Sequence, residues 1–106
     1  MKRGEVWWIN FDPSVGGEIP KQRPAVIVSN DAANEFLNIV QVVPLTSSPG
    51  KLYPSETYVT FRKKKAKAMA DQLTTVSKKH LINPAGSISS PEMEGITQAI
   101  TIQLDL

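Results

Sequence analysis

Short stretches in which β-branched and aromatic residues alternate with polar ones recur along most of the chain, and they predict strands. Clusters of Gly, Pro, Asn and Ser separate these stretches, as is typical of tight connections between strands. The spacing predicts strands over residues 5–11, 24–29, 38–45, 56–61, 67–73 and 85–88, the fourth and fifth of them forming a hairpin around a lysine cluster.

The first predicted strand is apolar on both of its faces. Alternation places Trp7, Ile9 and Phe11 on one face and Val6 and Trp8 on the other, so both faces are expected to be covered. In the third strand Pro44 lies near the end. Because proline cannot donate a ladder hydrogen bond, it indicates a bend or an edge position.

The last part of the chain has the pattern of an amphipathic helix. We predict Ser90 as its N-cap and Pro91 as its first residue, followed by Glu92 and Glu94 in the first turn, where the helix dipole favours acids. Shorter helical turns are predicted at residues 30–34 and 77–81. The apolar stripe of the long helix consists of Met93, Ile96, Ala99, Ile100 and Leu104.

Five or six short strands followed by one helix predict a mainly β fold, a small and strongly bent β-barrel with a C-terminal helix. A chain of 106 residues with 41% apolar residues suits a single domain, residues 1–106. The sequence has no cysteine, which excludes disulfides and thiolate metal sites and fits a reducing compartment. It also lacks a long apolar run and a signal-peptide core, so we expect a soluble, cytoplasmic protein.

The formal net charge is only +2, which is too small to diagnose nucleic-acid binding by itself. The placement of the charges is more informative, because the segment from Glu92 to the end contains acids and no bases. The basic cluster is open to two interpretations, a solvated turn or a phosphate contact. It holds five of the twelve basic residues, Arg62, Lys63, Lys64, Lys65 and Lys67.

Two polar residues stand at the ends of buried-type strands. Arg23 precedes the second strand and Thr46 follows the third, so an antiparallel neighbourhood would place both at one edge of the sheet. A guanidinium donates bidentate hydrogen bonds to phosphate, and a hydroxyl can stabilise a developing oxyanion. The alternatives are a salt bridge for Arg23 and ordinary turn hydroxyls for Thr46 and Ser47. Glu18, in a glycine-containing loop, is either solvated or positions a ribose hydroxyl.

The single histidine, His80, excludes a ribonuclease that uses two imidazoles from one chain and disfavours a histidine zinc site. We expect it at the surface near a helix end. Aromatic residues offer a second kind of chemistry, because bases of unpaired nucleic acid stack on them. The candidates for stacking or for core packing are Trp7, Trp8, Phe11 and Tyr53.

Taken in order, these motifs resemble the MazF/PemK-like family of endoribonuclease toxins from type II toxin–antitoxin systems. The matching segments are Arg3-Gly4-Glu5-Val6-Trp7-Trp8, Phe11-Asp12-Pro13, Gly17-Glu18, Arg23-Pro24-Ala25-Val26-Ile27-Val28-Ser29-Asn30-Asp31, Val43-Pro44-Leu45-Thr46-Ser47, Tyr53-Pro54, Ala70-Asp71-Gln72-Leu73 and Gly86-Ser87-Ile88.

The resemblance implies an SH3-like barrel of the CcdB/MazF/PemK kind, assembled as a homodimer. It implies sequence-specific cleavage of single-stranded RNA without a metal or other cofactor, by attack of the ribose 2′-hydroxyl, which leaves a 2′,3′-cyclic phosphate and a 5′-hydroxyl. It further implies a cognate antitoxin protein whose disordered acidic tail occupies the RNA groove.

The resemblance also implies roles for particular residues. Arg23 and Thr46 would be the catalytic pair, and because arginine stays protonated, Arg23 suits charge neutralisation better than proton removal. The supporting or RNA-binding candidates are Glu18, Ser47, Gln22, Phe11, Tyr53 and Gln72.

Two other functions fit the same fold. One is a CcdB-like poison of DNA gyrase, which depends on a terminal tryptophan-containing tail, whereas this chain ends Gln103-Leu104-Asp105-Leu106. The other is a non-catalytic interaction module, which is a less economical explanation for the presence of both Arg23 and Thr46. The loop Ile19-Pro20-Lys21 departs from the glutamine and small residues of many relatives, so no relative's target sequence can be transferred.

Overall fold

A computed structural model describes residues 1–11 and 22–106, and within these ranges the chain forms seven strands, two α-helices and two 3₁₀ turns. The α-helices are α1 (Asp31–Phe36) and α2 (Ser90–Leu104), and the 3₁₀ turns span Ala70–Gln72 and Lys78–His80. The strands are β1 (Glu5–Asn10), β2 (Gln22–Ile27), β3 (Ile39–Thr46), β4 (Glu56–Phe61), β5 (Lys64–Met69), β6 (Thr74–Ser77) and β7 (Leu81–Ser87).

All strand pairings are antiparallel, in the order β4-β5-β3-β2-β1-β7, with β6 as a third partner of β3. On one side β3 pairs with β2. On the other it pairs first with β6 through Ile39 to Val42 and then with β5 at Leu45 and Thr46. Pro44 is buried in the gap between these two pairings, so the predicted edge position is wrong and the bend is the interpretation that fits.

The first and last strands of this order approach each other. The guanidinium of Arg62, just after β4, donates from Nε to the carbonyl oxygen of Ala85 in β7 at 3.4 Å. Phe61 and Ala85 pack against the same buried cluster. The sheet therefore curls toward closure, as the predicted barrel requires, and the seam lies at the tip of the β4–β5 hairpin.

Two apolar clusters form the core. One includes Val6, Val26, Val43 and Leu45 and is completed by Ile96 of α2. The other is built on Ile9, Ala25, Ile27, Val40 and Val42, with Trp7, Phe11, Val76 and Leu81 packed against it. The alternation predicted for β1 is confirmed, because Val6 belongs to the first cluster and Trp7, Ile9 and Phe11 to the second.

The hairpin is tighter than predicted. Phe61 pairs with Lys64, so that only Arg62 and Lys63 form the turn, with φ of +52° and +64°. Two left-handed residues are the signature of a type I′ turn, whose twist matches that of the flanking strands. The predicted second arm, residues 67–73, is wrong at both ends. The observed strand β5 begins earlier, at Lys64, because the aliphatic stems of the lysines suit a strand. It also ends earlier, since Ala70–Gln72 forms a 3₁₀ turn.

One whole strand and one strand boundary also differ from prediction. The short β6 was not predicted, since its polar Thr-Thr-Val-Ser sequence gives a weak apolar signal. The last strand begins at Leu81 and not at residue 85. Asn83 and Pro84 suppress a strand prediction, and here they are accommodated because the pairing of β7 with β1 contains two register shifts.

The predicted helices are present with small shifts. The N-cap of α2 is Ser89 and not Ser90, because the Ser89 hydroxyl accepts from the backbone N–H of Glu92 at 3.4 Å. Ile96 and Ala99 are buried, whereas Leu104 is half exposed, so the apolar stripe ends before the helix does. The predicted turns are confirmed: Asn30 caps α1 and Ser77 caps the Lys78–His80 turn. Neither α-helix in the described ranges is long and apolar enough to span a membrane.

Candidate functional site

The register of β2 and β3 brings Arg23 and Thr46 to the same place. Ala25 pairs with Pro44 and Val26 with Val43. Extended by two residues toward the strand ends, the same register places Arg23 opposite Thr46, and opposite residues in an antiparallel pair point to the same side. Both side chains line one cavity of about 360 Å³, as the sequence predicted for a shared edge.

This first cavity combines polar and aromatic walls. It lies where β2 begins and β3 ends, beside Trp8 of β1 and Phe61 of β4. The polar lining comes from Gln22, Arg23, Thr46 and Ser47, and the apolar lining from Trp8, Pro24, Leu45 and Phe61. Such a cavity suits a ligand that joins an anionic group to a flat apolar one.

The two central polar groups are available to a ligand. Thr46 is half-buried, and its hydroxyl oxygen accepts a hydrogen bond from the backbone N–H of Ser48 at 3.2 Å, which leaves the hydroxyl proton for donation. Arg23 is exposed and forms no ion pair with any residue of the described ranges. An exposed guanidinium beside a free hydroxyl proton is an arrangement that binds phosphate.

Arg23 also lines a second cavity, of about 320 Å³, together with Phe11, Pro44, Gln72 and Thr74. Phe11 and Thr74 in turn line a third cavity, of about 200 Å³. The three cavities are neighbours that share lining residues, and Arg23 lines both the first and the second. This row of cavities is called the groove below. Phe11 and Gln72, which the sequence predicted as RNA contacts, are therefore on the groove.

Among the described residues that were predicted for the site, Tyr53 does not line these three cavities. Tyr53 is 56% exposed, and its ring centre lies 5.5 Å from Nζ of Lys51 and 5.8 Å from Nζ of Lys67. It is a neighbour of the site, since Lys67 pairs with Thr46 across β3 and β5. Glu18 lies outside the described residues.

The basic cluster divides into residues with different surroundings. Lys67 is buried: its ammonium lies 3.1 Å from the Glu56 carboxylate and donates to the carbonyl oxygen of Lys51 at 3.1 Å. Lys65 lies over the ring of Tyr58, with Nζ 3.8 Å from the ring centre. The interpretation of the whole cluster as a turn is thus wrong, because Arg62 and Lys63 alone form it.

Trp8, Phe61 and Arg62 form a feature that sequence reasoning missed. The guanidinium carbon of Arg62 lies 5.9 Å from the ring centre of Trp8 and 5.5 Å from that of Phe61. The alternation placed Trp8 on the opposite face from Trp7, but no local pattern links it to Phe61, which is far away in sequence. Trp8 is half-buried and borders the first cavity.

His80 ends a 3₁₀ turn, near the helix end where it was predicted, but it is half-buried and lines the third cavity. Its Nδ1 lies 3.0 Å from the carbonyl oxygen of Asn10, a geometry in which the ring nitrogen donates. Within residues 1–11 and 22–106, no three His, Asp or Glu side chains lie close enough together to hold a metal ion.

Among the carboxylates of residues 1–11 and 22–106, that of Glu5 has a perturbed pKa, and it lies outside the groove. The indole N–H of Trp7 donates to Glu5 at 3.0 Å and, as the largest cause, holds the pKa of Glu5 below its ordinary value. The backbone N–H of Lys2 also donates to this carboxylate, at 3.0 Å, and the amino terminus lies 3.8 Å away. The contacts of Glu5 therefore stabilise the start of β1.

Comparison with known proteins agrees with the fold and with the resemblance in the sequence. Endoribonuclease MazF9 of Mycobacterium tuberculosis is 36% identical over 115 aligned residues, which cover 100% of this chain and 98% of that protein. An endoribonuclease from a mycobacterial species, solved in complex with its cognate antitoxin, superposes with a TM-score of 0.83 at 25% identity and covers 100% of this chain and 96% of its own.

MazF from Deinococcus radiodurans has the same fold, with a TM-score of 0.82 at 22% identity over 100% of this chain and 97% of its own. The predicted fold class is thereby confirmed. Residues 2–104 match the family model described as PemK-like, MazF-like toxin of type II toxin–antitoxin system. This chain therefore belongs to the PemK-like, MazF-like family of toxins from type II toxin–antitoxin systems.

Proposed function

We propose that this chain is an endoribonuclease, the toxin of a toxin–antitoxin pair, which cuts single-stranded RNA at preferred sequences without a metal. Membership of the family supports the activity. The single observation that carries the assignment of the site is the shared cavity of Arg23 and Thr46.

In the proposed reaction, the scissile phosphate binds between Arg23 and Thr46. The ribose 2′-oxygen attacks phosphorus as the 2′-hydroxyl loses its proton, and the bond to the 5′-oxygen breaks. The products are a 2′,3′-cyclic phosphate and a 5′-hydroxyl, whose oxygen takes up a proton. Arg23 remains protonated and neutralises the charge that grows on the non-bridging oxygens, while the Thr46 hydroxyl donates to one of them.

The remaining predicted residues take supporting roles. Gln22 and Ser47 line the same cavity and offer neutral polar groups to the phosphate and ribose. Glu18, on its chemistry alone, is assigned to the ribose hydroxyl. Phe11, Tyr53 and Gln72 would contact the neighbouring nucleotides along the groove or beside it.

The lining of the groove favours an unpaired strand as substrate. Proteins that recognise an RNA sequence usually bind unpaired bases, which stack on aromatic side chains. The phosphate backbone of such a strand lies along positively charged side chains. Aromatic side chains occur on both sides of Arg23, Trp8 and Phe61 in the first cavity and Phe11 in the second. A paired helix would not offer its bases to these rings.

The same groove is the proposed target of the antitoxin. A relative of the same fold was solved with its cognate antitoxin. An acidic disordered tail would place carboxylates on Arg23 and so exclude RNA phosphate. We further propose that the toxin works as a homodimer in the cytoplasm.

The test is cleavage of a long unstructured RNA by the purified protein in EDTA, followed by mapping of the cut sites and of the end groups. Discrete cuts with 2′,3′-cyclic phosphate ends are expected. Arg23→Ala protein purified in the same way serves as the control for contaminating ribonuclease. Cutting that needs added divalent metal would contradict the mechanism, and no cutting combined with trapped gyrase–DNA complexes would favour a gyrase poison.

A further inference from the structure

The tip of the β4–β5 hairpin places a cation on two aromatic rings at once. The guanidinium of Arg62 lies within 6 Å of the ring centres of both Trp8 and Phe61, a distance at which a cation is attracted to an aromatic face. Its Nε also donates to the carbonyl oxygen of Ala85 at 3.4 Å. Arg62 is therefore fixed to three elements, β1, β4 and β7.

Trp8 and Phe61 both line the first cavity, whereas Arg62 is not among the described residues that line it. Arg62 therefore contacts both rings without being part of the cavity lining. Pro24 pairs with Trp8 across β1 and β2 and adds a further flat apolar surface to the same cavity. The result is an apolar slot that opens next to Arg23 and Thr46.

We propose that this slot holds one nucleobase of the RNA, from a nucleotide directly next to the cleaved phosphodiester. The inference rests on the proposed function and adds a subsite to it. A phosphate on Arg23 and Thr46 has its own nucleosides as the nearest flat apolar groups, and those are the groups that an aromatic wall accepts. Arg62 is a positioning residue here, because it acts on the base through the two rings.

The other residue of the turn offers a matched comparison. Lys63 carries the same charge and the same left-handed backbone as Arg62, but it contacts neither ring. A general attraction of the hairpin for phosphate would weaken equally on loss of either charge. If the proposed subsite holds a base, by contrast, RNA binding depends on Arg62 more than on Lys63, and this difference disappears when the base is absent.

The experiment measures binding of an RNA oligonucleotide that spans a mapped cut site and carries a 2′-deoxy nucleotide at the cleaved position, so that it cannot be cut. Each nucleotide in turn is replaced by an abasic one. For the unmodified protein, loss of one base flanking the cleaved bond is expected to weaken binding about tenfold, the order of one base–aromatic stack. In Phe61→Leu protein, where Trp8 and Pro24 remain, loss of that same base is expected to weaken binding clearly less than it does in the unmodified protein.

Arg62→Ala is expected to weaken binding of the intact oligonucleotide more than Lys63→Ala does, and the two variants should be equal with the abasic one. A spectroscopic readout covers the case in which Phe61→Leu does not fold. In Trp7→Phe protein Trp8 is the remaining tryptophan, and its fluorescence should be quenched by the intact oligonucleotide and not by the abasic one.

Equal abasic effects in the unmodified and Phe61→Leu proteins, or equal quenching by both oligonucleotides, would overturn the subsite. Cleavage in EDTA that persists in such a case would leave the proposed function standing. Absence of any cleavage would instead refute the proposed function, and with it the subsite.

Discussion

The side-chain oxygen of Thr46 accepts a hydrogen bond from the backbone N–H of Ser48 at 3.2 Å. This contact orients the hydroxyl and occupies one of its lone pairs, so that its proton can point to a bound anion. The threonine at the end of β3 is thereby held as a hydrogen-bond donor before any substrate arrives.

Thr46→Val tests this donor while the side-chain volume stays nearly the same. We expect single-turnover cleavage to slow by about 10²–10³, the cost of losing one donor aimed at a developing oxyanion. Thr46→Ser keeps the hydroxyl and should retain most of the rate. Circular dichroism would verify the fold of both variants, and a near-normal rate for the valine variant would remove Thr46 from the catalytic pair.

Arg23→Ala removes the cation shared by the first two cavities. The cleavage rate should fall by at least about 10²–10³, because the charge that develops on the phosphate would lose its stabilising cation. The fold should be unaffected, since Arg23 forms no ion pair with any described residue. Arg23→Lys should recover only part of the rate, since an ammonium cannot make the bidentate contact. The check is the rate of cleavage at saturating RNA, and a lysine variant as fast as the arginine protein would argue against a bidentate role.

The buried pair of Lys67 and Glu56 is expected to support the fold. Glu56→Ala would leave the Lys67 ammonium buried without its partner, and we expect about 3 kcal/mol lower free energy of unfolding in urea. The double variant Glu56→Leu with Lys67→Met removes both charges and should be more stable than Glu56→Ala alone. If the single and double variants were equally destabilised, the lost charge pairing would not be the cause.

The depressed pKa of Glu5 predicts a dependence of stability on pH. A carboxyl whose folded pKa lies below its unfolded value contributes stability above the unfolded pKa and loses it as pH falls through the folded one. Glu5→Gln should therefore reduce the melting temperature at neutral pH and have a smaller effect at strongly acidic pH. Thermal melts of both proteins across the acidic range would check this, and a constant difference between them would contradict it.

Most of the fold could be predicted from local pattern. The β1 alternation, the Asn30 cap and the apolar stripe of α2 are signals contained in a few neighbouring residues. The first two were confirmed, and the stripe was confirmed as far as Ile100 but not at Leu104. The second hairpin arm and the start of β7 were wrong because lysine, asparagine and proline give weak strand signals, and there pairing with an adjacent strand outweighs the intrinsic preference. The four-residue β6 was missed because its sequence has almost no apolar pattern, although its threonines suit a strand.

The candidate site likewise contains residues that local pattern could predict and contacts that it could not. Arg23 and Thr46 could be paired in advance, since both stand at the ends of strong strands whose antiparallel register is simple. The contact of Arg62 with Trp8 and the ion pair of Lys67 with Glu56 could not, because each depends on how the closed sheet brings distant segments together. The catalytic roles of Arg23 and Thr46 stay predictions.

The seam between the hairpin tip and β7 has a consequence for how this toxin can vary. Arg62 reaches Ala85 only because a two-residue turn delivers it there in a fixed left-handed conformation. A longer connection would make the tip of the hairpin mobile and separate the Arg62 guanidinium from the rings of Trp8 and Phe61. Insertions at this point would therefore be expected to loosen the contact of Arg62 with Trp8 and Phe61, and with it the binding of a base in the proposed subsite. The length of this turn is thus a feature on which relatives with different RNA preferences could differ.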